Sequence, residues 1–200
     1  KQLLTMVIVV FALGTSWLLW QNSQIAAADA ASDIYEEILT LAVAEPGTEV
    51  SAENGAQILD LGNQLRADHS GTVYALFGSL FSAQQQVRTD DLAAAEESLQ
   101  WILDNQKDGM FDKTDEGLIL TASLRLGRVI LAQGDAERAL SLINNLDPKT
   151  FEPGFAELRG DVYLAMGRLV DAREAYQAAQ QAGSNSGGLR MKLDDLSAES

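Results

Sequence analysis

The sequence contains no cysteine and a single histidine, so several kinds of chemistry have no side chain to carry them. Without a thiol, disulfide frameworks, thiolate zinc sites and cysteine nucleophiles are excluded. The lone histidine, His69, follows Asp68 where one predicted helix gives way to the next. The two could form an acid–base pair, but a histidine stabilised by the carbonyls at a helix end is the favoured interpretation. A GxxxxGK[ST] phosphate loop is also missing.

Basic residues are scarce as well. The chain has 14 lysines and arginines and 29 aspartates and glutamates, which gives a net charge of -15. Such a charge disfavours binding to phosphate backbones, so we expect no nucleic-acid partner. Neighbouring carboxylates such as Asp90 and Asp91 point about 100° apart on a helix and are poorly placed to share a metal ion. We therefore predict no catalytic residue, no cofactor and no metal site, and hence a protein that is not an enzyme.

One long hydrophobic run is present, at the start of the chain. Leu3 to Trp20 contains no charged residue and would form a helix about 27 Å long, close to the roughly 30 Å of bilayer hydrocarbon. Lys1 precedes the run, and the next basic residue is Arg66. The length and hydrophobicity of the run predict residues 1–22 as a single-pass anchor in the lipid bilayer, and the basic residue before it sets the orientation by the positive-inside rule. The N-terminus would be cytoplasmic and the remainder would lie in the periplasm of a Gram-negative bacterium.

Two other interpretations of this run remain open. Small residues at Ala26 to Ala28 would suit the processing site of a cleaved signal peptide, although the run is longer than the usual hydrophobic region of such peptides. A buried core helix is also conceivable, but no polar face exists between Leu3 and Leu13.

Helical periodicity continues after the anchor, and no segment alternates with a period of two. Residues 24–44 read as a helix ended by Pro46 and Gly47, and Ser51 offers an N-cap for the next helix. We therefore predict an all-α fold.

Three later segments share one pattern: a small residue, an alanine 12 positions later, and a large apolar residue four positions after that. The three sets are Ala83, Ala95 and Leu99; Gly127, Ala139 and Ile143; and Gly160, Ala172 and Tyr176. Small side chains at matched positions let two helices cross closely. The pattern predicts tetratricopeptide-like helical hairpins stacked as a solenoid, with an ordinary helical bundle as the alternative.

Turn residues separate the two helices of each predicted hairpin. Gly134 and Gly167 suit the left-handed position that follows a helix, whereas the first hairpin turns at residues 88–91. Residues 104–115 read as an enlarged turn. We assign residues 23–182 to the repeat domain and residues 183–200 to a hinge and a capping helix.

The first helix of each hairpin should line the inner surface of such a solenoid. By repeat register, the predicted protein-binding groove consists of Phe77, Leu80, Gln84, Val87, Leu124, Arg128, Leu131, Glu157, Asp161 and Leu164. A mixture of apolar and polar side chains suits a bound peptide segment.

The order of these segments resembles the YfgM-like ancillary subunits of the bacterial SecYEG translocon. The resemblance rests on the single membrane helix, on "LRLGRVILAQGDAERAL" (124–140), on "LRGDVYLAMGRLVDAREAYQAA" (158–179) and on the terminal "MKLDDLS" (191–197). It implies a periplasmic repeat domain tethered beside the translocon. There it would assist exported polypeptides together with a PpiD-like, membrane-anchored periplasmic chaperone.

Two other functions compete with this one. The same anchor and repeats would suit a scaffold of another envelope assembly, such as pilus, division or outer-membrane machinery. A hydrolase that uses His69 with a carboxylate is the third.

Overall fold

A computed structural model describes residues 2–43, 49–109 and 113–198, without the side chains of residues 2–12, 20, 24 and 198. These residues form nine α-helices and no β-strand, in agreement with the predicted all-α, tetratricopeptide-like fold. The helices are α1 (Gln2–Ala42), α2 (Ala52–Asp68), α3 (Val73–Arg88), α4 (Leu92–Asp104), α5 (Glu116–Ala132), α6 (Ala136–Asn144), α7 (Glu152–Ala165), α8 (Leu169–Gln181) and α9 (Gly187–Ala198). A short 3-10 helix, Lys149–Phe151, precedes α7.

The chain divides into two compact units, Lys1–Phe81 and Ser82–Ser200, with the boundary inside α3. In the first unit, α1 packs on α2, and Ile38, Ile58 and Leu65 are fully buried. A Cβ atom at Gly78 would lie 2.7 Å from Leu65 Cδ1, so an added methyl group there would require the end of the Leu65 side chain to shift.

Both ends of α2 lie where the sequence predicts them. The Ser51 side chain accepts a hydrogen bond from the backbone N–H of Asn54 at 3.1 Å, which confirms the predicted N-cap. His69 is the C-cap of the same helix, and its backbone N–H donates to the Leu65 carbonyl. The histidine therefore lies at a helix end, as its favoured interpretation predicts.

The predicted anchor falls at the start of α1. No helix within the described part of the chain is long and apolar enough to cross a membrane. The side chains of residues 3–12 and 20, which make up most of the predicted span, lie outside the described residues. The anchor therefore stays a prediction.

The second unit contains the three predicted hairpins, and glycine marks two of their helix crossings. A Cβ atom at Gly160 of α7 would lie within 3.0 Å of three ring carbons of Tyr176 on α8. A Cβ atom at Gly127 of α5 would lie 3.4 Å from Ile143 Cγ2 on α6 and 2.8 Å from Leu158 Cδ2 on α7. The small residue and the large apolar residue of these two sets thus meet across the hairpin.

All three hairpins turn in the same way. Gly134 and Gly167 have positive φ values of 88° and 72°, and Asp90 takes the equivalent position with a φ of 60°. At each turn two backbone N–H groups donate to carbonyls of the final helical turn, as in the bond from Asp135 to Ile130 at 3.2 Å. The hairpins therefore share one backbone turn, although the first hairpin has no glycine there.

The last helix packs back on the third hairpin. Leu189 and Leu196 of α9 are buried in one apolar cluster with Ala172, Tyr176 and Ala179 of α8. Helix α9 begins at Gly187, inside the segment 183–188 that the sequence suggested as a hinge.

Candidate functional site: an arginine-lined cleft

A cleft of about 300 Å³ opens in the second unit where α3, α4 and α5 meet. We call it the arginine cleft. Its apolar walls come from Leu92, Leu99 and Val129, of which Leu99 and Val129 are buried. The remaining lining residues are Ala83, Gln84, Val87, Arg88, Arg125, Arg128 and Ala132. A concave apolar surface with a few polar groups is the usual form of a binding site.

Three arginines give this cleft a positive charge in a strongly acidic protein. Arg88 donates a hydrogen bond to Gln85 Oε1 at 2.7 Å. Arg125 and Arg128 lie three residues apart on the same face of α5, and both are exposed. Partial burial of its guanidinium and the positive charge of Arg128 lower the pKa of Arg125. The two guanidinium groups therefore repel each other, and a bound anion would relieve that repulsion.

Contacts between the first two hairpins hold the walls of the cleft in place. Gln133, just after α5, donates from Nε2 to the Leu92 carbonyl at 3.0 Å. On the outer side, Arg138 of α6 forms a salt bridge of 2.8 Å with Glu96 of α4. Both contacts fix α4 against the second hairpin, so the cleft is largely preformed.

The predicted groove residues do not all lie together. Gln84, Val87 and Arg128 line the arginine cleft. Leu124 instead faces α7, because its Cδ2 atom would lie 2.9 Å from a Cβ at Gly154. Leu131 is half-buried. Phe77 and Leu80 belong to the first unit, where Phe77 stacks near Tyr35 with ring centroids 5.8 Å apart and Leu80 is buried.

In the third hairpin, α9 contacts two of the predicted groove residues, Glu157 and Asp161. Lys192 Nζ lies 3.0 Å from Glu157 Oε1 and 2.7 Å from Asp161 Oδ1. The Tyr176 hydroxyl also donates to Asp161, at 2.7 Å. Burial lowers the pKa of Lys192, but the hydrogen bonds to the two carboxylates raise it overall. Leu164, by contrast, is exposed.

Sequence reasoning missed Arg125 and Lys192. The groove register placed Leu124 inward, yet the face that lines the cleft passes through positions 125, 128, 129 and 132. Two arginines three positions apart, in a chain with 29 acidic and 14 basic residues, were the available signal. Lys192 carried no comparable signal, because its partners lie 31 and 35 residues earlier.

The described residues contain no group of three or more histidine, aspartate or glutamate side chains that could hold a metal ion. The arginine cleft offers positive charge and apolar surface, which suit binding by complementarity.

Comparisons with known proteins agree with this architecture. The model of the tetratricopeptide repeat-like domain family matches residues 1–198. An ancillary SecYEG translocon subunit of Haemophilus influenzae is 30% identical over 196 residues, which cover 95% of this chain and 88% of that protein. The protein of the same name from Escherichia coli is 30% identical over 196 residues, covering 94% and 86%.

A third relative with this name, from Neisseria gonorrhoeae, is 28% identical over 195 residues, covering 94% of this chain and 86% of that protein. No solved structure gives a significant match. The alignments run through nearly the whole length of each protein, so they include the N-terminal helix as well as the hairpins. This chain therefore belongs to the tetratricopeptide repeat-like family of ancillary SecYEG translocon subunits.

Proposed function

We propose that this protein is a membrane-anchored adaptor that associates with the SecYEG translocon and acts by binding other proteins. The observation that carries the proposal is the similarity over about 95% of the chain to proteins named as ancillary SecYEG translocon subunits. Stacked helical hairpins support it, since such repeats present extended surfaces for protein partners.

The finer parts of the proposal concern placement and partners. Residues 3–20 would cross the inner membrane once, with the N-terminus in the cytoplasm and the repeats in the periplasm. There the repeats would meet a PpiD-like, membrane-anchored chaperone and exported polypeptides as they leave the channel. The proposed contact points are the predicted groove residues that line the arginine cleft, Gln84, Val87 and Arg128.

Site-specific photocrosslinking in native membranes tests this function. A photoreactive amino acid at position 84, 87 or 128 should crosslink to a translocon subunit, a periplasmic chaperone or an exported chain. The matched control is position 190, an exposed site on α9. Recovery of none of these proteins, or of components of a pilus, division or outer-membrane assembly instead, would refute the proposal.

The role of the anchor needs a separate experiment. Replacing residues 3–20 by an unrelated membrane helix of equal length keeps the repeats at the membrane. If the anchor itself contacts the translocon, the exchange should reduce copurification of SecYEG from gently solubilised membranes. Unchanged copurification would place the whole interaction in the repeats.

A further inference from the structure

The arginine cleft contains two positive charges that have no partner among the described residues. Neither Arg125 nor Arg128 forms a salt bridge or a side-chain hydrogen bond with any described residue. Every other arginine in the described part of the second unit binds a protein oxygen. These six contacts join Arg88 to Gln85, Arg138 to Glu96, Arg159 to Glu152, Arg168 to Asp171, Arg173 to the Leu196 carbonyl and Arg190 to the Asn185 carbonyl.

This contrast is unexpected for the composition of the chain. With 29 acidic residues and 14 basic ones, carboxylates are in excess, and nearly any exposed arginine could find one. Two neighbouring arginines on one helix face repel each other. Folding alone gains nothing from this arrangement, so a ligand that supplies negative charge is its natural complement.

The walls of the cleft define the rest of the ligand. Leu92, Leu99, Val129 and the small side chains of Ala83 and Ala132 form an apolar floor beside the guanidinium groups. A free inorganic anion would leave that floor uncovered, and a nucleic acid would be repelled by the net charge of -15. A segment of polypeptide can supply both a carboxylate and apolar side chains at a spacing of a few ångströms.

We propose that the arginine cleft binds a short acidic and apolar peptide segment of a partner protein. In this complex Arg125 and Arg128 bind a carboxylate, and the floor around Leu99 receives the apolar side chains that flank it. The carboxylate belongs to an aspartate or glutamate side chain of the partner. This inference names a ligand chemistry and does not depend on the identity of the partner.

Binding of defined peptide pools to the purified full-length protein in mild detergent tests the proposal. Three fluorescent heptapeptide pools share leucine, valine and phenylalanine at five positions. The other two positions define the pools: aspartate or glutamate in the acidic pool, asparagine or glutamine in the amide pool, and lysine or arginine in the basic pool. We expect fluorescence polarisation to show binding of the acidic pool at least tenfold tighter than binding of the amide pool, because charged hydrogen bonds to guanidinium are lost in the latter.

Variants of the chain locate the binding. Arg128→Gln should weaken binding of the acidic pool about tenfold, and the double variant with Arg125→Gln should weaken it further. Arg190→Gln is the matched control, since it removes one positive charge from an exposed site on α9 and should leave binding unchanged. Circular dichroism of each variant should match the wild type, because both cleft arginines are exposed.

One further measurement excludes the peptide terminus. Amidating the peptide C-terminus should leave binding of the acidic pool unchanged, because a side-chain carboxylate is the recognised group, and loss of binding would overturn the proposal. Equal binding of the acidic and amide pools would overturn the proposal, as would full binding by the Arg125→Gln, Arg128→Gln double variant. Neither result bears on association with the translocon, which the crosslinking experiment measures by itself.

Discussion

Replacing Gly160 by alanine should destabilise the protein, because the crossing of α7 and α8 has no room for a methyl group. The added Cβ would meet the ring of Tyr176 at Cδ1, Cε1 and Cγ, all within 3.0 Å. That ring is fully buried, and its hydroxyl is fixed by the 2.7 Å hydrogen bond to Asp161. The ring therefore cannot move aside without losing this bond.

The magnitude follows from two opposing effects. Overpacking of a buried site costs about 1–3 kcal/mol, and the fixed ring points to the upper end of this range. Alanine is favoured over glycine inside a helix by about 1 kcal/mol. We expect a net loss of about 2 kcal/mol in the free energy of unfolding, or a fall of about 4–8 °C in the melting temperature.

Thermal and urea unfolding followed by circular dichroism would measure this loss. Gly127→Ala is the matched comparison, because its Cβ would meet the flexible end of Leu158 at 2.8 Å, and its cost should be largely offset by helix propensity. In a Tyr176→Leu background the Gly160→Ala change should cost much less, since the ring is gone. Equal cost in both backgrounds, or a Gly160→Ala variant as stable as the wild type, would refute the reasoning.

Three further predictions concern the turn, the buried tyrosine and the last helix. Asp90→Gly should raise the unfolding free energy by about 0.5–1 kcal/mol in urea titrations, because the left-handed φ of 60° strains any residue with a Cβ. Burial and the hydrogen bond to Asp161 raise the pKa of Tyr176 above its ordinary value. The contribution of this tyrosine to the free energy of unfolding should therefore be full below about pH 10 and fall as the pH rises beyond it. This alkaline fall should be shallower in Tyr176→Phe. Lys192→Met should leave Glu157 and Asp161 without their cation and raise amide hydrogen exchange in α9 several-fold.

The controls for these predictions use other sites in the same chain. Asp104→Gly replaces an aspartate inside the last turn of α4, where glycine should destabilise instead. Tyr163→Phe changes a half-buried tyrosine and should keep the full alkaline fall. Arg190→Met removes a charge from α9 outside the carboxylate contacts and should leave hydrogen exchange in that helix unchanged. A result shared by variant and control would contradict the corresponding prediction.

Much of the fold could be predicted because its determinants are local. The crossing of Gly160 with Tyr176, the left-handed glycines at 134 and 167, and the cap at Ser51 each depend on residues close in sequence. The first turn was also assigned, at residues 88–91, but the left-handed residue within it was not, because aspartate signals this conformation less strongly than glycine.

The candidate site was less predictable because it depends on how hairpins face one another. Arg125 and Leu124 are adjacent in sequence, and a rotation of 100° between them decides which one enters the cleft. Lys192 reaches Asp161 across 31 residues, a contact that follows only from the position of α9 on α8. Periodicity identifies the helix faces, but packing between helices selects the face that binds.

The position of α9 also sets how many hairpins can be stacked. A repeat array can in principle grow by one hairpin at either end, and a second copy of the chain could serve as that hairpin. Leu189 and Leu196 cover the apolar side of α8. The exposed residues Arg190 and Asp194 of α9 face solvent where an apolar surface of α8 would otherwise be accessible to another hairpin. We therefore expect elongation beyond the third hairpin to be blocked, so that crowded copies of the protein do not polymerise through this end.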